Sequence, residues 1–249
     1  MKITSCLLLC GLLTAPTLSR AQGFALGYDN WNYRVSGIID EGGTQLRLHR
    51  DLGVRPTSRD SYSLRWDTGP GWWPDVAANY MRVQIEGDNP YTVSGGLQIG
   101  PLPILPPAST VLHTVADIHD ADLTLSYPLQ LGPVRASGGV MTKWLHGHID
   151  VSDSNGDQSI QQIDEIFPMA HLQLDLPLGR YLNLRAAGNA VAYQDDNASE
   201  LRFDAQFRLL GPLTLNLGWQ RKHYRVNDDG YLLNTTLQGV LLGVHLVFN

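Results

Sequence analysis

The sequence predicts an all-β chain, a transmembrane antiparallel β-barrel of about ten strands with both termini periplasmic; eight or twelve strands are the other counts it allows. Three observations carry this reading: a cleavable leader, period-two alternation of apolar and polar residues through the C-terminal half, and short turns that alternate with longer polar connections.

Residues 1–21 read as a signal peptide, with Lys2 as the positive n-region, Ile3 to Leu13 as the apolar h-region and Ser19-Arg20-Ala21 as a small-x-small cleavage site. Sec export and cleavage near Ala21 would leave residues 22–249 as the barrel, enough chain for one domain with a large sheet. Leu9 precedes Cys10 where a lipoprotein signal has a small residue, so no lipid anchor is expected. Both cysteines, Cys6 and Cys10, leave with the leader, which removes disulfides and thiolate metal sites from the mature chain.

The chain carries 18 basic and 24 acidic residues, and without Lys2 and Arg20 the balance is 16 to 24. That excess of negative charge argues against nucleic acid as a partner. Past the leader, charged or amide residues recur every few positions, so no window approaches the roughly 18 apolar residues of a spanning helix. A chain of this kind crosses a membrane as a closed barrel, whose strands satisfy their backbone groups between them.

Leu182, Leu184, Ala186, Gly188, Ala190 and Ala192 share one parity, with Asn183, Arg185, Asn189 and Tyr193 among the residues of the other. The next segment sets Leu201, Phe203, Ala205, Phe207 and Leu209 against Arg202, Asp204, Gln206 and Arg208. Leu213, Leu215, Leu217 and Trp219 then alternate with Asn216, Gly218, Gln220 and Lys222, and Val240, Leu242, Val244, Leu246 and Phe248 close the series. Side chains of a strand point alternately to its two faces, so each segment has an apolar and a polar face. A soluble periplasmic sandwich gives the same pattern and would bury Leu182, Leu184, Phe203, Leu215 and Leu217 against a second sheet.

Connection lengths favour the barrel. Gln130 to Pro133, Leu178 to Arg180 and Leu210 to Pro212 are short and built on Gly or Pro, whereas Ser152 to Ser159, Asp195 to Ser199 and Asn227 to Leu233 are longer and polar. Periplasmic turns are short in outer-membrane barrels and outer loops long. The predicted strands are 24–36, 61–67, 76–86, 110–127, 134–151, 161–176, 181–194, 201–209, 213–226 and 235–248. Thr44 to Leu52 is placed in the first outer loop, and Asp88 to Ala108, rich in Gly and Pro, reads as a long rim loop. Trp66, Tyr127, Tyr181 and Phe248 fall at periplasmic strand ends, and Trp144 and Trp219 towards the outer ends, as aromatic girdles do.

The final segment, Gly243-Val244-His245-Leu246-Val247-Phe248-Asn249, resembles the C-terminal signal that the barrel-assembly machinery recognises during insertion, on the strength of Gly243, Leu246 and Phe248. Leu241 and the terminal Asn249 depart from that signal. The stretches Arg50-Asp51-Leu52-Gly53, Asp120 to Tyr127, Phe167-Pro168-Met169-Ala170 and Ala187-Gly188-Asn189-Ala190 together resemble a family of small Gram-negative outer-membrane β-barrel proteins of unassigned function. The resemblance implies barrel fold and a place in outer-membrane lipid, and it carries over no catalytic or binding residue.

With polar parity read as lumen, the interior should hold Arg135, Lys143, Gln173, Asp175, Asn183, Arg185, Arg202, Asp204, Arg208, Gln220 and Lys222. Both signs are present and a ten-strand barrel is narrow, so these groups should pair with one another in a nearly closed lumen, a narrow solute path being the other outcome.

No histidine has Ser two residues on, the arrangement of lipid-modifying barrel hydrolases. Asp120-Ala121-Asp122 and Asp117-Ile118-His119 match the carboxylate and Asp-His spacings of omptin-like proteases, but they fall on one strand rather than facing each other. If Tyr127 pairs with Val134 across the Gln130 to Pro133 turn, His113 lies opposite His148, with His146 on the same face. Three such imidazoles would suit zinc or copper, but they are read here as solvated rim residues and no metal site is assigned. The expectation is thus an integral barrel with a structural role or a minor passive pathway for small solutes, without catalysis or cofactor. The alternative is a surface enzyme or adhesin worked through outer loops 37–60 and 88–108.

Overall fold

The computed structural model describes residues 23–41, 44–68, 73–92, 97–99, 102–104, 109–153, 158–193, 196–228 and 231–248. The predicted leader, Ala108 and Asn249 lie outside them. Ten long strands follow one another: Gly23–Glu41 (β1), Thr57–Asp67 (β2), Asp75–Thr92 (β3), Ser109–Leu131 (β4), Val134–Asp153 (β5), Gln158–Leu178 (β6), Leu182–Tyr193 (β7), Asp196–Arg208 (β8), Leu213–Asp228 (β9) and Tyr231–Phe248 (β10). Each pairs antiparallel with its sequence neighbours, and β10 pairs with β1 from Phe24 against Phe248 to Glu41 against Tyr231. The sheet is closed, which rules out the sandwich and leaves these ten strands no unpaired edge.

Both described ends of the barrel lie with the short turns, because Phe24 pairs with Phe248. Gly132, Gly179 and Gly211 in those turns have positive φ, which L side chains adopt at a cost. At the other end the strands run further than predicted. Tyr193 pairs with Asp196 and Asp228 with Tyr231, so segments read as polar loops are mostly strand. Their polarity misled because both faces of a strand standing beyond a membrane can face or approach water. The Asp88 to Ala108 loop is likewise shorter than expected, since β3 continues to Thr92 and the strands Leu97–Ile99 and Leu102–Ile104 form a small hairpin. Thr44–Arg47 pairs with Ile38 to Glu41 at the far end of β1 and does not enter the circuit, so the count stays at ten.

The outward face carries a wide apolar belt. Leu184, Phe203, Leu215 and Leu217 are exposed on it, as are Leu172, Leu174, Leu242 and Val244. A water-facing protein exposes apolar patches of only a few hundred Å². Trp66, Tyr127, Tyr181 and Phe248 stand exposed at one border of the belt; at the other stand Tyr28, Tyr62 and Tyr80, which were not anticipated, together with Trp144.

Beyond that second border the pattern inverts. On β1 the apolar residues are outward at Phe24, Leu26 and Tyr28 and then inward at Trp31, Tyr33 and Val35. On β3 they change from Val76, Ala78 and Tyr80 outward to Met81, Val83 and Ile85 inward. On β6 Phe167 and Met169 are inward while Leu172 and Leu174 are outward, and on β10 Leu237 and Leu241 are inward while Val244 and Leu246 are outward. The far part of the barrel therefore has an apolar interior and a polar exterior, as a water-soluble barrel does.

The closing strand depends on one close approach. Gly243 faces the lumen opposite Asp29, and a Cβ there would meet the Asp29 carboxylate at 1.9 Å and the Tyr28 carbonyl oxygen at 2.5 Å. Leu246 and Phe248 point outward into the belt. Gly243→Val should therefore displace Asp29 or separate β10 from β1, at a cost of about 1–3 kcal/mol or more. Electrophoresis with and without boiling should show the fast-migrating folded band much reduced, whereas Val244→Leu, directed into the belt, should leave it intact.

Candidate functional site in the barrel lumen

All eleven predicted interior residues have inward parity. Arg135, Asp175, Asn183, Arg185 and Arg208 line a cavity of about 470 Å³ at the short-turn end. There Arg135 donates to Asp75 at 2.5 Å and to Asp67 at 3.3 Å, and Arg185 donates to Asp175 at 2.7 Å. Gln173 donates to the second oxygen of Asp175 at 2.5 Å, and Asn183 donates to Gln206 at 3.1 Å.

A second, smaller cavity of about 170 Å³ follows, lined by Gln173, Arg185, Arg202, Asp204, Gln220 and Lys222 among others. Behind its lining residues Arg202 and His245 lies Asp29, buried and reached from three strands. Arg202 donates to it at 2.8 Å and Asn216 at 2.9 Å, while His245 Nε2 lies 3.1 Å away. Arg202 also grips Asp204 through Nε at 2.8 Å. A guanidinium presents several donors in a fixed plane, so one side chain bridges two carboxylates.

Further along, Lys143 and Lys222 meet from opposite sides of the lumen. Lys143 is fully buried and donates to Asp120 at 2.6 Å, with Glu200 at 2.9 Å and Asp122 at 3.6 Å. Lys222 donates to the other oxygen of Asp120 at 2.5 Å, and the Tyr224 hydroxyl donates to Glu200 at 3.0 Å. Burying an ion without partners is costly, and here each ammonium has two or more carboxylates. Beside and beyond this layer Tyr33, Val35, Val83 and Leu237 fill the interior, while Trp31, Met81 and Met141, members of the same apolar cluster, also line the smaller cavity. Leu52 and Val54, from the segment after Thr44–Arg47, join them with 1% and 2% of their surface exposed.

The eleven residues thus do not form one site. They are distributed over two cavities and an ion cluster, and an apolar layer that polar parity did not anticipate lies over them. The acidic partners Asp29, Asp75, Asp120, Asp122 and Glu200 were missed. The parity rule would have found Asp120 and Asp122, but Glu200 lay just before the start assigned to its strand. Arg208 has no side-chain partner among the described residues and faces the wider cavity.

The histidine arrangement is corrected. Pairing runs up to the two-residue turn, with Leu131 opposite Val134, so the register shifts by four residues from the one expected. His113 faces Ser152, His148 faces Asp117 and His146 faces His119. Among the described residues no three His, Cys, Asp or Glu side chains are grouped to hold a metal. Asp120 and Asp122 point inward and are neutralised by lysines, while Asp117 and His119 point outward, so the two protease-like spacings face opposite sides of the wall.

Lys143→Met should leave three carboxylates around Lys222 alone and cost about 3–5 kcal/mol, as breaking a buried ion pair does. The urea midpoint of the detergent-solubilised barrel should fall accordingly. Arg82→Ala, which breaks an exposed pair with Asp117 outside the wall, should leave that midpoint unchanged.

No family model matches the chain, and no curated protein matches it. Among solved structures it is similar to the outer membrane protease OmpT from Escherichia coli, at 10% identity over 94% of this chain and 99% of that one, with a TM-score of 0.54. More distant likenesses include the translocator domain of the autotransporter NalP from Neisseria meningitidis, at 10% identity over 91% and 88% of the two chains and a TM-score of 0.44. Another is the transport unit of the autotransporter AIDA-I from Escherichia coli, at 9% identity, 95% and 93% coverage and a TM-score of 0.42. At such identity the likeness to OmpT speaks for fold alone: the chain is a closed antiparallel barrel of the outer-membrane type.

Proposed function

We propose that this chain is an integral outer-membrane barrel with a structural role, sealed against solute passage, non-catalytic and free of cofactor. The leader would direct export, the belt from Phe24 to Tyr28 and its counterparts would sit in lipid, and the short-turn end with both termini would face the periplasm. The observation that carries the reading is the filled cross-section. A solute entering from the short-turn cavities meets the layer of Asp120, Lys143, Glu200 and Lys222 and then the packed residues around Tyr33, Val35 and Leu237. Passage would require breaking buried ion pairs and opening an apolar core. Loop 37–60, one of two segments that a surface enzyme or adhesin would use, is committed in part to this closure through Leu52 and Val54.

Two measurements test this. Fractionation should place the protein in the outer membrane as a band whose mobility shifts on boiling; recovery as a soluble periplasmic protein would sink the membrane assignment. Purified protein in planar bilayers should show no steady conductance above the bare membrane. Reproducible single-channel steps from the unmodified chain would restore the passive-pathway reading.

A further inference from the structure

Just beyond the aromatic border, the outward faces of β9, β10 and β1 carry Arg34, Arg221 and Arg225. The register sets Arg34 beside Gln238 and Gln238 beside Arg221; two residues further from the belt come Ser36, Thr236 and His223, and then Ile38, Asn234 and Arg225. With strands about 4.8 Å apart, the backbones of Arg34 and Arg221 stand about 10 Å apart with one polar residue between them. The three arginines are exposed. None has a carboxylate partner among the described residues. Of the acidic residues on this side, Asp40 lies one row beyond Arg225, near the strand tips, and Asp60 on β2 is occupied by Tyr28 and Asn30.

Elsewhere above the belt, several outward basic side chains stand beside carboxylates. Arg82 grips Asp117 and holds its carboxyl down to about 2, His113 lies 2.5 Å from Asp88, and His146 lies 3.6 Å from Asp164. In a chain of net charge −6, three uncompensated arginines on one face are set apart from this pattern. Their height is also specific: Arg221 follows Trp219 by two residues on the same face, at the level where headgroups begin.

We propose that this face binds the phosphate of an anionic lipid in the outer leaflet, clasped between Arg34, Arg221 and Arg225 with Gln238 and Thr236 beneath it. This rests on the reading that the belt lies in lipid. Arginine suits the role because its planar donors meet a phosphate two at a time. Lipid is favoured over a soluble anion because the row continues directly into the apolar belt through Trp219 and Val240, where acyl chains would lie.

The test uses the full-length purified barrel in detergent, with diphosphorylated lipid A, its dephosphorylated analogue and inorganic phosphate as probes and native mass spectrometry as the readout. Lipid A should bind the unmodified barrel, and the variant Arg34→Gln/Arg221→Gln/Arg225→Gln should bind it at least tenfold more weakly while keeping its shift on boiling. Arg82→Gln should bind as the unmodified protein does. Equal binding by the triple variant, or equal binding of the dephosphorylated analogue, would overturn the site. Inorganic phosphate competing at the concentration of lipid A would overturn the lipid assignment. A barrel that fractionates to the outer membrane yet ignores lipid A refutes this inference alone, whereas a soluble protein refutes the membrane reading beneath it.

Discussion

The constraint on which this structure depends is that each strand is continuous while the medium outside it changes. A strand exposes alternate residues to its two sides, and a membrane covers only part of its length. Within the belt the outside is apolar, so Phe24, Leu26 and Tyr28 point outward and Gly27 and Asp29 inward. Beyond it the outside is water, and the same strand turns Trp31, Tyr33 and Val35 inward with Asn30, Asn32 and Arg34 outward. No bulge is needed for this exchange, since the pairing of β1 with β10 runs unbroken across it. The chain thus joins an inverted barrel with a polar lumen to a conventional one with an apolar core.

The joint between the two halves accounts for the buried charges. Where the polar lumen ends and the apolar interior begins, the ionised groups at the wall of the smaller cavity are buried away from bulk water and neutralise one another. Asp120, Lys143, Glu200 and Lys222 come from β4, β5, β8 and β9 and meet across the lumen, so the cluster ties distant sectors of the wall together. Lys222 also lies 5.8 Å from the ring of Trp31, the first inward aromatic of the core, which gives the ammonium a favourable face towards the apolar side. Such a layer adds little net stability compared with apolar packing of the same volume, but it penalises any arrangement in which a strand slips and separates the partners.

Much of this was legible in the sequence, and the limits have physical causes. The ten strands, the short turns and the inward parity of the eleven polar residues follow from dyad alternation in the C-terminal half, where Leu201 to Arg208 and Leu213 to Lys222 are clean repeats. The interior apolar layer was missed because a single parity was assigned to each face, and the exchange between Tyr80 and Met81 looks locally like two adjacent apolar residues. The histidine register failed because a turn of known composition still allows several lengths, and pairing continued through Pro128 to Leu131. The ion cluster was half visible: each member has the expected parity, but the partners are more than 20 residues apart in sequence and meet only after closure.

Closure at the far end is built as a fixed packing rather than a hinge. The segment carrying Leu52 and Val54 is tied to β3 by main-chain pairing of Val54 with Gly87 and by Asn89, whose amide donates to the carbonyl oxygens of Arg50 at 2.8 Å and Asp51 at 3.1 Å. His49 Nδ1 lies 2.9 Å from the Val54 carbonyl oxygen and holds the turn within itself. The approach is too close for a side chain, since a Cβ on Gly87 would stand 2.3 Å from the Leu52 carbonyl oxygen. A gate that opened in service would have to release these bonds and expose Leu52 and Val54 to water, so the same contacts that fill the interior also argue that it stays filled.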